Sequence, residues 1–228
     1  MPAVLATDLP GLAATCEAYR AGLLGQPVTA LTTLGFVLAG VAVWAGRPAP
    51  AGYRAWYGSL VVAVGVGSFI QHGPHPPWQA YAHDLPLAAL LGFLAADALR
   101  DLRAPAPSPA AAPGRRRWAA ASVPVAAVLA AAGVAPLVAA GPTASTIGQQ
   151  LLAVLAIGAN LWRARRRPRL RSVVVPALVL LAVGALLGTL GDRTGLCRPD
   201  SLWQGHAAWH LLSAAALWWL TPAVGRRM

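Results

Sequence analysis

The chain contains no lysine and few charged residues of any kind: 11% of its 228 residues are charged, whereas 57% are hydrophobic. This shortage of charge excludes an ordinary soluble domain, whose surface needs many more ionisable side chains. A membrane-spanning helix needs about 20 apolar residues, so the chain has room for about six to eight spans and little else. We therefore predict an all-α, polytopic membrane protein that forms a single domain over residues 1–228.

All basic residues apart from the histidines are arginines, and their placement argues against a nucleic-acid partner. Most of them stand in two short runs between long apolar stretches, which is typical of the cytoplasmic loops of membrane proteins. A nucleic-acid-binding protein would instead present a basic patch on a folded surface. The runs are Arg100, Arg103, Arg115, Arg116 and Arg117, followed by Arg163, Arg165, Arg166, Arg167, Arg169 and Arg171.

Apolar stretches of membrane length can be identified in order along the sequence. We predict spans at residues 26–46, 56–73, 84–100, 117–138, 143–163, 172–190 and 203–222. The loops after the first, third and fifth spans contain arginine, whereas those after the second and fourth contain none. Because positively charged loops stay in the cytoplasm, we predict a seven-transmembrane-helix bundle of the cell membrane, with its N-terminus outside and its C-terminus cytoplasmic.

The histidines all fall in the predicted outer half of the bundle, where ionisable side chains are costly and mark functional sites. His206 and His210 are four residues apart, so on a helix they share one face and can bind one ion. His72 ends the second span with Ser68 one turn before it, and Asp84 opens the third span at the same depth. Three neutral imidazoles with an open fourth position are typical of a catalytic zinc site, and a nearby carboxylate can act as general base for the attacking water.

Other interpretations of these histidines remain open. A histidine at a helix end is commonly an interfacial residue, and the spacing of His206 and His210 alone is a loose metal motif. We interpret His75 and His83 as residues in or beside the outer loop between the second and third spans, near the site entrance.

Two acidic residues lie at the opposite end of the third span. Asp97 and Asp101 neighbour Arg100 and Arg103 in the sequence. We predict that these residues form ion pairs on the protein surface.

Cysteine is also scarce, and Cys16 and Cys197 are its two occurrences. Both are predicted to lie outside the cell, where disulfides persist. We predict that they form a disulfide that ties the N-terminal segment to the loop before the seventh span; the alternative is two free thiols.

Four short motifs, taken together, resemble the alkaline ceramidases, within the larger superfamily of seven-helix membrane hydrolases that includes the adiponectin receptors. The motifs are Cys16-Glu17 before the first span, Ser68-x-x-x-His72 ending the second, Asp84 opening the third, and His206-Ala-Ala-Trp209-His210 opening the seventh. The resemblance covers the whole predicted topology.

The resemblance implies a zinc-dependent hydrolase of lipid amides. His72, His206 and His210 would bind Zn²⁺. Asp84 would accept the proton of the attacking water and later pass it to the leaving amine, and Ser68 would hydrogen-bond near the metal or steady the oxyanion. The substrate would be a lipid amide from the bilayer, which would yield a fatty acid and an amine such as a sphingoid base.

The sequence departs from that family around the Cys-Glu motif, where its eukaryotic members carry an acidic, Asn-rich calcium site. Here the segment is Ala14-Thr15-Cys16-Glu17-Ala18-Tyr19, followed by Gln26-Pro27-Val28-Thr29. Glu17 is left as the single candidate ligand, whereas calcium takes six to eight oxygens. We therefore predict no tight calcium site.

Three other functions compete with a hydrolase. A non-catalytic receptor or structural membrane protein with a stabilising zinc ion would need a fourth protein ligand, for which Glu17 and His83 are candidates. A haem carrier is disfavoured because an H-x-x-x-H pair on one helix face cannot supply both axial ligands of one iron. An intramembrane serine protease is suggested by Gly67-Ser68 alone, and the sequence has no G-x-S-x-G motif. The H-E-x-x-H motif of zinc peptidases is also absent.

Overall fold

The computed structural model describes residues 15–46, 51–103, 113–193 and 196–225, and every secondary-structure element in these ranges is a helix. The predicted all-α class is confirmed, and each predicted span corresponds to one helix or, for the first span, to two consecutive helices. The α-helices are α1 (Pro27–Thr32), α2 (Leu34–Ala45), α3 (Ala51–His72), α4 (Gln79–Arg103), α5 (Pro113–Ala140), α6 (Pro142–Arg166), α7 (Arg171–Arg193) and α8 (Gly205–Leu220). Short 3₁₀ turns follow at Pro168–Leu170 and Thr221–Ala223.

Six of the helices form a closed ring. In order around it, α2, α3, α4, α6, α7 and α8 each contact the next, and α8 contacts α2 again. Helix α5 packs outside the ring against α4 and α6, and α1 packs against α3 and α8. Because consecutive helices are joined by short connections, the end of α3 and the starts of α4 and α8 lie at one end of the bundle, which we call the histidine end.

Helix α4 begins five residues earlier than the predicted third span. It starts at Gln79, so His83 lies inside the helix and not in the preceding loop. Pro86 is tolerated within this helix, although it has no N–H with which to bond the carbonyl of Ala82 one turn before it.

Large apolar side chains cover the outward faces of several helices, and this pattern suits lipid better than water. Leu151 and Val154 of α6, for example, are 67% and 69% exposed. Within the described residues, four helical segments are long and apolar enough to cross a membrane: Pro27–Ala45, Ser122–Ala140, Pro142–Arg166 and Pro168–Asp192. The structure therefore indicates association with a membrane.

The prediction that Asp97 and Asp101 form ion pairs on the surface is wrong. Both are buried, with 1% and 5% of their surface exposed. Asp97 pairs with Arg163 of α6 at 2.9 Å, and Asp101 lies 4.0 Å from Arg167. The physical reason is that α6 packs against this part of α4, so the carboxylates point into the bundle. We call this end the arginine end.

Gly67 permits a close approach of α3 and α4 next to Ser68 and His83. A Cβ atom at this position would lie 2.0 Å from the carbonyl oxygen of Ala82 and 3.1 Å from Cα of His83. The carbonyl is the one that Pro86 cannot engage, so its oxygen faces the glycine of the neighbouring helix. Contact of backbones across small residues is a common way for membrane helices to pack.

We expect the substitution Gly67→Ala to destabilise the protein by about 1–3 kcal/mol, because α3 and α4 must separate to admit the methyl group. The measurement is the unfolding midpoint in detergent. Gly158→Ala is the matched control, since a Cβ atom at Gly158 of α6 meets nothing within 4 Å. Equal midpoints for the two variants would contradict the prediction.

Candidate metal centre

The three histidines predicted as ligands converge at the histidine end. His72 is the last residue of α3, and His206 and His210 lie in the first two turns of α8. Their potential ligand atoms all lie within 4.8 Å of one another, and the ring centroids are 4.7–5.2 Å apart. The prediction that these side chains meet is confirmed.

The imidazole of His72 is held in one orientation by Gln26, the residue before α1. Its Nδ1–H donates to Oε1 of Gln26 at 2.7 Å. Because an amide oxygen only accepts hydrogen bonds, the proton is on Nδ1 and the Nε2 lone pair is free. Nε2 is buried and has no hydrogen-bond partner in the described part of the chain, so its lone pair is available to a metal ion.

The other two histidines face oxygen atoms in the same way. Nδ1 of His210 lies 3.3 Å from the carbonyl oxygen of Thr29, and Nδ1 of His206 lies 3.5 Å from Oδ2 of Asp192. Metal-ligating histidines almost always direct their second ring nitrogen to a carbonyl or carboxylate in this manner. The group His72, His206 and His210 can therefore hold a metal ion.

Glu17 supports this centre from the N-terminal segment. Its two carboxylate oxygens accept the backbone N–H groups of Val28 and Thr29, both at 2.8 Å. Glu17 thus occupies the start of α1, where a negative charge is favourable. The side-chain amide of Gln26 donates to the carbonyl oxygen of Glu17 at 2.7 Å and to the hydroxyl of Thr15.

The predicted disulfide between Cys16 and Cys197 is confirmed. It joins the N-terminal segment to the connection before α8, and the backbone N–H of Cys16 donates to Oδ1 of Asp192 at 3.0 Å. The other carboxylate oxygen of Asp192 faces His206. Asp192 therefore connects the disulfide-bonded segment to one of the three histidines.

The structure places Ser68 and Asp84 at the same end but outside the three-histidine group. Ser68 is 2% exposed and lies one turn before His72 on α3. Asp84 is 9% exposed, and its carboxylate is hydrogen-bonded to His83 and to Ser145 of α6. Gly67 lies against the backbone of His83. The part of α3 that carries Ser68 is therefore next to the part of α4 that carries Asp84.

An apolar groove of about 470 Å³ lies elsewhere, on the side of α3 that faces α2 and α4. Trp44, Val62, Val66, Gly67, Ala82 and Pro86 are among its lining residues, and none of the three histidines is. This groove is therefore separate from the candidate metal centre.

Sequence reasoning missed the residues that orient the histidines, which are Gln26, Thr29 and Asp192. Thr29 acts through its backbone carbonyl, which no side-chain pattern can indicate. Gln26 and Asp192 lie 46 and 14 residues from the histidines that they face, so their roles depend on the packing of α1 and α7 against α3 and α8. The sequence indicated only that these three residues lie in the predicted outer half of the bundle.

No protein-family model matches the sequence, and no curated protein matches it either.

Proposed function

We propose that this protein is a zinc-dependent intramembrane hydrolase of lipid amide bonds, similar in activity to the alkaline ceramidases. Water and a lipid amide would yield a fatty acid and an amine such as a sphingoid base. The observation that carries the proposal is the convergence of His72, His206 and His210, with the Nε2 atom of His72 buried and without a partner among the described residues.

Zinc is the metal that best matches the donor set. Among the described residues, three imidazoles form the group without a fourth side chain, which corresponds to catalytic zinc sites, in which one position is kept open. Zinc at such a site polarises a carbonyl group and lowers the pKa of water to near neutrality.

The chain's own residues supply the proton transfers. Asp84 accepts the proton of the attacking water and passes it to the leaving amine, and its burial keeps the carboxylate away from bulk water. Ser68 donates a hydrogen bond to the developing oxyanion from the turn before His72. These roles rest on the resemblance and on the placement of both residues at the histidine end.

The proposed topology has seven spans in the cell membrane, with the N-terminus outside and the active site toward the non-cytoplasmic side. Arg163 and the exposed Arg165 and Arg166 lie at the end of the bundle opposite the histidines, in keeping with arginine on the cytoplasmic side. A lipid substrate would then enter from the bilayer.

The competing function is a non-catalytic receptor or structural protein with a stabilising zinc ion. It needs a fourth protein ligand. Glu17 is bound to the start of α1 through both carboxylate oxygens, and it is not part of the group of described residues whose potential ligand atoms lie within 4.8 Å of one another. His83 is not part of that group either, and its Nδ1 atom is hydrogen-bonded to Asp84 at 2.7 Å.

The test is to purify the protein in detergent without added metal, measure its zinc content by mass spectrometry, and assay release of fatty acid from ceramide and simpler N-acyl amines. We expect about one zinc per chain and amidase activity, both lost in the His206→Ala/His210→Ala variant. His75→Asn is the matched control: it removes a histidine at the same end whose ring nitrogen contacts a backbone carbonyl, and asparagine tolerates its positive φ.

The possible outcomes separate the alternatives. Zinc without hydrolysis of any lipid amide would favour the metal-stabilised bundle. Absence of zinc in the wild type would overturn the metal centre itself.

A further inference from the structure

Asp84 is held by two hydrogen-bond donors from two helices. Nδ1 of His83, the preceding residue of α4, lies 2.7 Å from its Oδ1 atom. The hydroxyl of Ser145, in the first turn of α6, donates to its Oδ2 atom. Each carboxylate oxygen therefore has a side-chain donor.

We propose that His83 and Ser145 are positioning residues that fix Asp84 for proton transfer, an inference that rests on the proposed hydrolase function. The terminal torsion of an aspartate side chain is otherwise broad. A donor on each oxygen holds the carboxylate plane in one orientation and leaves a second lone pair on each oxygen. One of these lone pairs accepts the proton of the attacking water.

Gln149 fixes the direction of the Ser145 hydroxyl. Its side-chain amide donates to the Ser145 oxygen at 3.2 Å from one turn further along α6. The serine oxygen acts there as an acceptor, so its own proton is directed to Asp84. Ser145 is 2% exposed, and burial keeps competing water away from this chain of hydrogen bonds.

The position of this network favours a role in the reaction over simple attachment of α4 to α6. His83 is the residue whose Cα atom faces Gly67, the neighbour of Ser68. The backbone of α4 immediately before Asp84 therefore meets the helix that carries both Ser68 and His72. Hydrogen bonds that only attached α4 to α6 could lie equally well at any position along these two helices.

The experiment compares His83→Leu, which removes the donor, with His83→Asn, whose side-chain N–H occupies nearly the place of Nδ1. For each variant, zinc content is measured together with kcat and KM for hydrolysis of one lipid amide. We expect His83→Leu to lower kcat about 100-fold, as a misplaced catalytic group does, with KM and zinc content unchanged. His83→Asn should restore most of kcat, and Ser145→Ala should resemble His83→Leu.

A second readout does not depend on turnover. In nuclear magnetic resonance spectra of the protein with ¹⁵N-labelled histidine, the Nδ1–H proton of His83 should resonate far downfield because it bonds a carboxylate. It should move upfield in Asp84→Asn, since a neutral amide oxygen is a weaker acceptor.

The outcomes distinguish this inference from the function on which it rests. A wild-type protein that hydrolyses no lipid amide overturns the proposed function and this inference with it. An active wild type with an equally active His83→Leu variant overturns this inference alone. Loss of zinc and kcat together in His83→Leu, without recovery in His83→Asn, would mean a purely structural role and would also overturn it.

Discussion

Replacement of Arg163 by methionine is expected to destabilise the protein by about 3 kcal/mol, because it leaves the buried Asp97 carboxylate without its main partner. Arg163 is 1% exposed and donates to Asp97 at 2.9 Å, to Asn160 at 2.6 Å and to the carbonyl oxygen of Ala223 at 3.1 Å. The estimate is at the low end for a broken buried ion pair because Arg100 stays 3.4 Å from Asp97. The measurement is the free energy of unfolding in detergent.

Arg165→Met is the matched control for this prediction. Arg165 lies two residues away on α6 and is exposed, so its loss should change stability by less than about 0.5 kcal/mol. A double variant, Arg163→Met with Asp97→Leu, should recover part of the loss, because no unpaired charge is then buried. Similar losses for Arg163→Met and Arg165→Met would contradict the ion-pair argument.

The Asp97–Arg163 pair also contacts the turn that follows α8. The backbone N–H of Gly225 lies 3.2 Å from Oδ1 of Asp97, and the carbonyl of Ala223 accepts from Arg163. The Arg163→Met variant should therefore loosen the chain after α8 before the ring of helices separates.

The potential metal ligands could be predicted from the sequence because their signal is local. His206 and His210 are one turn apart on a helix, and His72 ends a different apolar stretch at the same predicted level. Antiparallel helices of similar length then bring these ends together. Cys16 and Cys197 could be paired for the same reason, since the predicted topology placed both on one side.

The Asp97–Arg163 pair could not be predicted in this way. The two residues are 66 positions apart, and Asp97 has arginines three and six residues ahead of it that look like sufficient partners on a surface helix. Only the packing of α6 against α4 shows that the carboxylate points inward. The sequence therefore shows which charged residues are neighbours along the chain, whereas the packing of the helices decides whether a charged side chain is buried.

Gln26 is the residue whose loss should most affect metal binding without removing a ligand. Its side chain links the Nδ1–H of His72 to Glu17 and Thr15, and its backbone N–H donates to the carbonyl oxygen of His72 at 2.8 Å. We expect Gln26→Ala to weaken zinc affinity about 10-fold to 100-fold, the usual effect of losing a partner of a ligating histidine. The measurement is the zinc dissociation constant, obtained by competition with a chelator.

Gln79→Ala is the control for this substitution. Gln79 is also a buried glutamine, at the start of α4, and in the described residues it is hydrogen-bonded to none of the three histidines. Removal of its amide should leave zinc affinity within about twofold of the wild type, because no ligating ring loses its partner. If Gln26→Ala and Gln79→Ala weaken zinc binding equally, general loosening of the histidine end is the cause; a loss confined to Gln26→Ala means that the orientation of His72 by one buried amide sets the affinity.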